Sequence, residues 1–182
     1  LSPVDPNNIK KILMESVKRR LLSKNYPISV LLSGGLDSAI ITSILQDLNA
    51  DVTYYTIENG EDEYVKLCED HWGIKVNRLT YDLSDESKLT EIYCKWNETP
   101  IDLGSVIPQY HLFEAVAKTG HRIVISGDGA DELFGGYRRI DEYDSQGSDI
   151  FDELTYYHLP RLDRMSMAHT IELRSPFLGH DV

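Results

Sequence analysis

The stretch Ile28-Ser29-Val30-Leu31-Leu32-Ser33-Gly34-Gly35-Leu36-Asp37-Ser38 constrains the fold of this chain more than any other. A short aliphatic strand breaks into Ser-Gly-Gly and passes at once into an amphipathic helix. Such a junction aims unpaired backbone N–H groups and a helix N-terminus at one point, which makes an anion site. Gly34 and Gly35 let the backbone approach an oxyanion closely, and Ser33 and Ser38 add hydroxyl donors. Asp37 would repel that ligand unless a divalent metal sits between them, so Asp37 predicts Mg²⁺. A Gly-Gly turn whose Asp and Ser merely cap the helix is the simpler alternative. The full run behind an apolar strand favours the anion site.

The run lacks the Lys of a Walker P-loop. It resembles instead the PP-loop of the ATP pyrophosphatases, which cleave ATP to AMP and pyrophosphate.

At 182 residues the chain fits one domain with a substantial core, and 41% hydrophobic with 26% charged residues is ordinary for a globular protein. The net charge of −12 argues against nucleic acid, because no basic stripe exists to neutralise phosphates. An anionic nucleotide therefore needs metal ions or local cations. Cys68 and Cys94 stand far apart with no CxxC, which supports neither a zinc site nor a disulfide framework; buried free thiols are expected. The longest apolar runs are about strand length, so no membrane span is expected. With no signal-peptide pattern, a cytoplasmic, reducing setting is the expectation. Leu1 rather than Met opens the chain, as expected of a trimmed or processed sequence.

Ile9, Ile12, Leu13, Val17 and Leu21 recur with helical spacing from Pro6 to about Lys24, opposite a solvated basic face. Strands follow at Ile28–Leu32, Asp51–Ile57, Lys75–Leu79 and Arg122–Ser126. Helices are predicted over Asp37–Asn49, Glu61–His71 (ended by Gly73), Ser84–Asn97 and Gln109–Thr119. Glu58-Asn59-Gly60 reads as a turn, the proline-punctuated Glu98–Pro108 as a loop, Asp141–Asp149 as a loop, and Ile150–His169 as mostly helical. Strands alternating with helices predict an α/β fold, a parallel sheet with helices on both faces, and a helical C-terminal part. In such sheets ligands sit beyond the carboxyl ends of the strands, where both glycine-rich turns fall.

The second turn is Ser126-Gly127-Asp128-Gly129-Ala130-Asp131-Glu132-Leu133-Phe134-Gly135-Gly136-Tyr137. Its three acids within five residues repel one another unless a cation or a donor-rich ligand is present. With Asp37 at the neighbouring strand end, Asp131 can complete a Mg²⁺ site on a pyrophosphate, leaving Asp128 to face the substrate. An irregular turn with a capped helix is the structural alternative.

These two motifs are followed in order by Leu162-Asp163-Arg164-Met165-Ser166-Met167-Ala168-His169 and Glu172-Leu173-Arg174-Ser175-Pro176-Phe177-Leu178. Together they resemble the synthetase domain of the glutamine-hydrolysing asparagine synthetases. The helix carrying Arg19-Arg20-Leu21 and the Glu98–Pro108 loop resemble the family too, so the likeness covers nearly all of residues 1–182. It implies a PP-loop, adenine nucleotide alpha hydrolase-like fold in a single domain. It also implies that ATP activates the β-carboxylate of aspartate as an acyl-adenylate, releasing pyrophosphate, and that ammonia attacks the activated carbonyl. By the same resemblance Ser33, Gly34, Gly35, Asp37 and Ser38 hold pyrophosphate, and Asp37 and Asp131 hold Mg²⁺. Leu31, Ile57, Ser126 and Gly127 contact adenine and ribose. The resemblance also implies that Asp128 is the catalytic residue that manages ammonia attack, orienting ammonia or accepting its proton.

Asp163, Arg164, Glu172 and Arg174 have the spacing of buried ion pairs that fix geometry, and His169 that of a hydrogen-bonded packing histidine. Arg138 and Arg139 read as solvated loop charges. Full-length family members begin with a glutaminase domain and carry a Lys beyond the Pro-Phe-Leu segment; neither is present in these residues. The resemblance therefore leaves the ammonia source open among free ammonia, a separate glutaminase subunit and a longer parent chain. Two alternatives stay open. One is a related cyclase closing β-lactam rings or lasso peptides, for which Tyr156 and Tyr157 lie in a suitable region. The other is a non-catalytic nucleotide-binding subunit of a split amidotransferase. A tRNA-thiolating enzyme fits poorly, given the acidic charge and unpaired cysteines.

Overall fold

A computed structural model describes residues 5–21, 26–58, 62–81, 84, 86–97, 103–136 and 153–182. Five parallel strands are joined in the order β3-β2-β1-β4-β5. They are β1 (Ile28–Leu31), β2 (Val52–Ile57), β3 (Val76–Leu79), β4 (Ile123–Ile125) and β5 (Glu172–Arg174). The helices are α1 (Pro6–Arg20), α2 (Leu36–Asp47), α3 (Asp62–Trp72), α4 (Glu86–Glu91), α5 (Leu103–Lys118), α6 (Ala130–Phe134) and α7 (Leu159–Met167). The strand order reverses direction at β1, whose neighbours are β2 on one side and β4 on the other, so the crevice between β1 and β4 is the switch point of a doubly wound sheet.

Alternation along the strands divides the core into two layers. Ile28, Val30, Leu32, Tyr54, Val76, Ile123 and Ile125 face one cluster with Leu13 and Val17 of α1, Ile41, Ile44 and Leu45 of α2, and Val65 and Cys68 of α3. Tyr55 and Val124, with partly buried Leu31, Ile57 and Leu173, face the other, against Val106, Tyr110, Phe113 and Val116 of α5 and Met165 of α7. Period-two alternation inside near-continuous apolar strands is what a sheet covered on both faces requires.

The four expected strands are present with ends shifted by at most one residue, and α2 and α3 with ends shifted by one or two. β5 was not anticipated: it adds to the edge of β4 through Glu172 N–H donating to Arg122 O at 2.8 Å and Ser126 N–H donating to Arg174 O at 3.1 Å. A second difference lies in α5, which begins at Leu103 and carries Pro108 inside it, where a loop to Pro108 was expected. Pro108 forfeits one backbone bond and tends to break a helix, but the preceding turn buries Val106 and Ile107, and that burial holds the helix. The stretch beyond α4 widens into a π-helix over Ile92–Asn97, and a second π-turn, Leu154–His158, leads into α7. Cys68 is buried as expected, but Cys94 is exposed on the π-stretch.

Of the buried ion pairs expected of the C-terminal motif, the one between Glu172 and Arg174 lies at the surface on its acidic side. Glu172 is 63% exposed where it meets Arg174 Nε at 2.8 Å, and Arg164 Nη1 donates to Asn97 O at 2.7 Å. His169 packs edge-on to Tyr110 with centroids 4.3 Å apart, but its buried Nε2 makes no hydrogen bond, so the packing part of that expectation holds and the bonded part does not. The expected turn at Asn59-Gly60, the loop at Glu98–Asp102, Arg138, Arg139 and the Asp141–Asp149 loop lie outside the described residues. Among the described residues no helix is long and apolar enough to cross a membrane.

Candidate functional site

β1 runs on past Leu31 through Leu32, whose N–H donates to Tyr55 O at 2.9 Å, and then turns sharply. Gly34 makes that turn with φ +83°, and a β-carbon there would lie 2.7 Å from Cβ of Tyr64, so both backbone and space demand glycine. Gly35 is the N-cap of α2, with no side-chain cap hydrogen bond. Capping by Asp37 or Ser38 is thereby set aside, and the first-turn N–H groups of α2 lack a side-chain cap. Ser38 Oγ donates to Gly35 O at 2.9 Å and lies 3.2 Å from Ser33 Oγ, which ties the turn to the helix.

The second glycine-rich turn closes on the first. A β-carbon on Gly127 would lie 3.0 Å from Ser38 N and 3.1 Å from Cβ of Asp37, so the chain leaving β4 packs on the start of α2. Gly129, at φ +96°, then opens α6, with the Leu178 side chain occupying the space of its missing β-carbon. Gly136 likewise leaves room that the Asp131 carboxylate takes up.

Between these turns lies a cavity of about 300 Å³. Of the residues singled out from sequence, Leu31, Ser33, Asp37, Ser38, Ile57, Ser126, Gly127, Asp128 and Asp131 line it; Gly34 and Gly35 shape the turn without lining it. Leu32, Tyr55, Thr56, Gln109, Leu112, Phe113, Gly129, Ala130, Glu132, Leu154, His158 and Leu162 complete the wall. No local signal marks most of these, which come from β2, α5 and the π-turn. Glu132 was visible as the third acid of its motif, and Leu32, Gly129, Ala130 and Leu162 lie within the motifs quoted above.

The electrostatics are those of a crowded anionic wall. Burial pushes the Asp37 carboxyl above the usual carboxylate range, and Asp131, Glu132 and Asp128 add repulsion. Burial likewise raises Asp131, helped by Glu132 and Asp128 and opposed by His158. Asp128 is raised by burial despite a hydrogen bond from Ser126 and the nearby Arg161 guanidinium. Carboxylates that raise one another in this way are a donor set for a hard cation. Among the described residues no group of three or more His, Cys, Asp or Glu side chains is placed to hold a metal ion.

These features define a doubly wound α/β protein with two glycine-rich turns meeting at the switch point of its sheet. Residues 8–155 and 145–182 match the family model described as asparagine synthase, and the chain belongs to that family. It is 29% identical over 193 residues to the human asparagine synthetase (glutamine-hydrolysing), covering 96% of this chain and 34% of that protein. To asparagine synthetase 1 of Lotus japonicus it is 26% identical over 201 residues, covering 99% of this chain and 34% of the relative. The chain thus spans about a third of the length of these relatives (34%).

Proposed function

We propose that this chain is a single synthetase domain that joins a carboxylic acid to ammonia at the expense of ATP, with aspartate as the acid and asparagine as the product. The observation that carries this is the contact of Gly127 with the Asp37 end of α2, which brings an oxyanion turn and an acidic turn to one cavity. The human and Lotus relatives are named as asparagine synthetases, which supports the same chemistry.

In this reading the β-carboxylate oxygen of aspartate attacks the α-phosphorus of ATP, and the bond to pyrophosphate breaks. The N–H groups at the start of α2, with Ser33, Gly34, Gly35 and Ser38, hold the departing pyrophosphate. Leu31, Ile57, Ser126 and Gly127 hold the adenosine. Asp37 and Asp131 would hold Mg²⁺, which when bound supplies positive charge to the phosphates and relieves the repulsion between the two acids. Ammonia then adds to the acyl carbon, AMP leaves, and Asp128 orients the amine or takes its proton. The raised proton affinity of Asp128 suits a base that must accept one. Ammonia comes from solution or from a glutaminase unit, and the setting is cytoplasmic.

For the cyclase alternative no observation speaks. Tyr156 is 77% exposed, and neither Tyr156 nor Tyr157 lines the cavity. The deciding experiment incubates the chain with Mg-ATP, aspartate and ammonium and follows AMP, pyrophosphate and asparagine. Asparagine with equimolar AMP supports the reading; ATP binding with no AMP from any amino acid overturns it in favour of a nucleotide-binding subunit.

A further inference from the structure

One side-chain pair at the cavity wall has no part in the chemistry above. His158 ends the π-turn Leu154–His158 and lines the cavity, and Arg161, in the first turn of α7, is only 8% exposed. Arg161 Nη2 lies 3.3 Å from His158 Nδ1. A guanidinium has donors only and does not release its proton, so Nδ1 must be the acceptor. The ring proton of His158 then sits on Nε2. The guanidinium is itself fixed, because Nη1 donates to Ser105 Oγ at 2.7 Å and the cation lies 5.1 Å from the centre of the Tyr157 ring. The far edge of the imidazole, Nε2, faces Glu132 Oε1 and Glu153 Oε2, each at 3.9 Å.

We propose that His158 is a neutral hydrogen-bond donor to a carboxylate oxygen of the acyl substrate, and that Arg161 is the positioning residue that fixes its Nε2–H form. The proposal rests on the synthetase reading and adds a residue to it. The wall already carries Asp37, Asp128, Asp131 and Glu132, so an acidic substrate needs a donor there to be held at all. Glu132 and Glu153 favour a charged ring, but an imidazolium would offer the Arg161 guanidinium no acceptor. The other neutral tautomer would turn a lone pair toward the substrate and repel its oxygen. Burial, and Arg161 after it, push His158 below the ordinary histidine range against the opposing pull of Glu132, Glu153 and Asp128, in keeping with a neutral ring. Arg161 therefore acts through His158, and the two form one unit.

The test uses the full chain with ¹⁵N-labelled histidine and reads the ring nitrogens by long-range ¹H–¹⁵N correlation, with His158→Gln assigning the signals. The expected spectrum shows protonated Nε2 and bare Nδ1 for His158, and saturating Mg-ATP with aspartate moves the Nε2 signal. Arg161→Met mixes the two tautomers, and Arg161→Lys, which still donates, restores the Nε2–H form. In steady-state assays Arg161→Met raises KM for aspartate on the order of tenfold, the loss of about one hydrogen bond to a charged group, and changes KM for ATP by less than about twofold. An Nδ1–H or doubly protonated ring in the native chain overturns the proposal, as does a His158 signal unmoved by saturating ligands. A tautomer unchanged in Arg161→Met removes the positioning role. Should the native chain release no pyrophosphate, the synthetase reading fails, while the tautomer spectra still decide the Arg161 claim. Circular dichroism checks the fold of Arg161→Met, and if it unfolds, Arg161→Lys and the native spectrum decide.

Discussion

Gly127 and Asp37 touch across the switch point of the sheet: a β-carbon added to Gly127 would stand 3.1 Å from Cβ of Asp37 and 3.0 Å from the Ser38 nitrogen. Ninety residues apart in the chain, they set the distance between the anion turn and the acidic turn. Gly127→Ala must therefore push the start of α2 away by a few tenths of an ångström. The expected outcome is a folded protein, destabilised by about 1–2 kcal/mol as for overpacking, with weaker nucleotide binding. Calorimetric titration of Mg-ATP against both proteins checks it, and unchanged affinity refutes the geometric link.

Asp37→Asn and Asp131→Asn are each expected to abolish pyrophosphate release and to leave the fold intact. Both side chains have proton affinity raised by burial and by neighbouring acids, Asp131, Glu132 and Asp128 for Asp37 and Glu132 and Asp128 for Asp131, so the folded state holds their protons more tightly than the unfolded one. Their ionisation costs stability as pH rises through the folded-state value. Removing either charge should therefore raise the melting temperature of the ligand-free protein at pH 7.5. Thermal melts run beside the pyrophosphate assay separate the two effects; a variant that turns over normally would falsify the metal assignment.

A structural prediction concerns Glu114 on α5. Burial raises its carboxyl, but hydrogen bonds from Lys88 and Lys118 outweigh this and bring it from 4.5 down to about 2. Lys88 Nζ lies 2.8 Å from Glu114 Oε1 and Lys118 Nζ lies 3.3 Å from Oε2. A depressed carboxylate contributes stability above its unfolded value and loses it as pH falls toward its folded one. Glu114→Gln should cost about 2 kcal/mol at pH 7, discounted for partial exposure, and the deficit should shrink between about pH 4.5 and pH 2. Urea unfolding across that range provides the measurement, and a constant deficit would show that packing rather than charge is responsible.

Ser16 joins the two ends of the described chain. Its buried Oγ donates to Pro176 O at 2.7 Å and accepts from Arg20 Nη1 at 2.7 Å. Ser16→Ala leaves the Pro176 carbonyl without this donor and removes an acceptor from Arg20, which should cost about 1–3 kcal/mol. Because the site lies at β1 and β4, activity at low temperature should survive. Denaturant midpoints and assay rates, measured together, test both halves.

Strand, turn and helix around Ser33-Gly34-Gly35-Asp37 were legible in sequence because the geometry there is local: glycines at the turn and apolar residues on both sides of it. The acidic turn was legible for the same reason. β5 was not, because Glu172-Leu173-Arg174 is three residues long and two of them are charged; only its bonds to the edge of β4 make it a strand. Pro108 concealed the first turn of α5, since a local rule against proline lost to the burial of Val106 and Ile107. His158 and Arg161 escaped notice because their meaning lies in Glu132, Ser105 and Asp128, which sequence alone does not bring near.

The central position of β1 also orders events as the chain is made. β1, β2 and β3 are complete by Leu79, but the β1–β4 seam that frames the cavity waits for Ile123. With only β1, β2 and β3 paired, the sheet is three-stranded and its free edge is β1 itself, the strand that leads into the anion turn. On the synthetase reading, nucleotide binding therefore reports that this edge has been covered by β4.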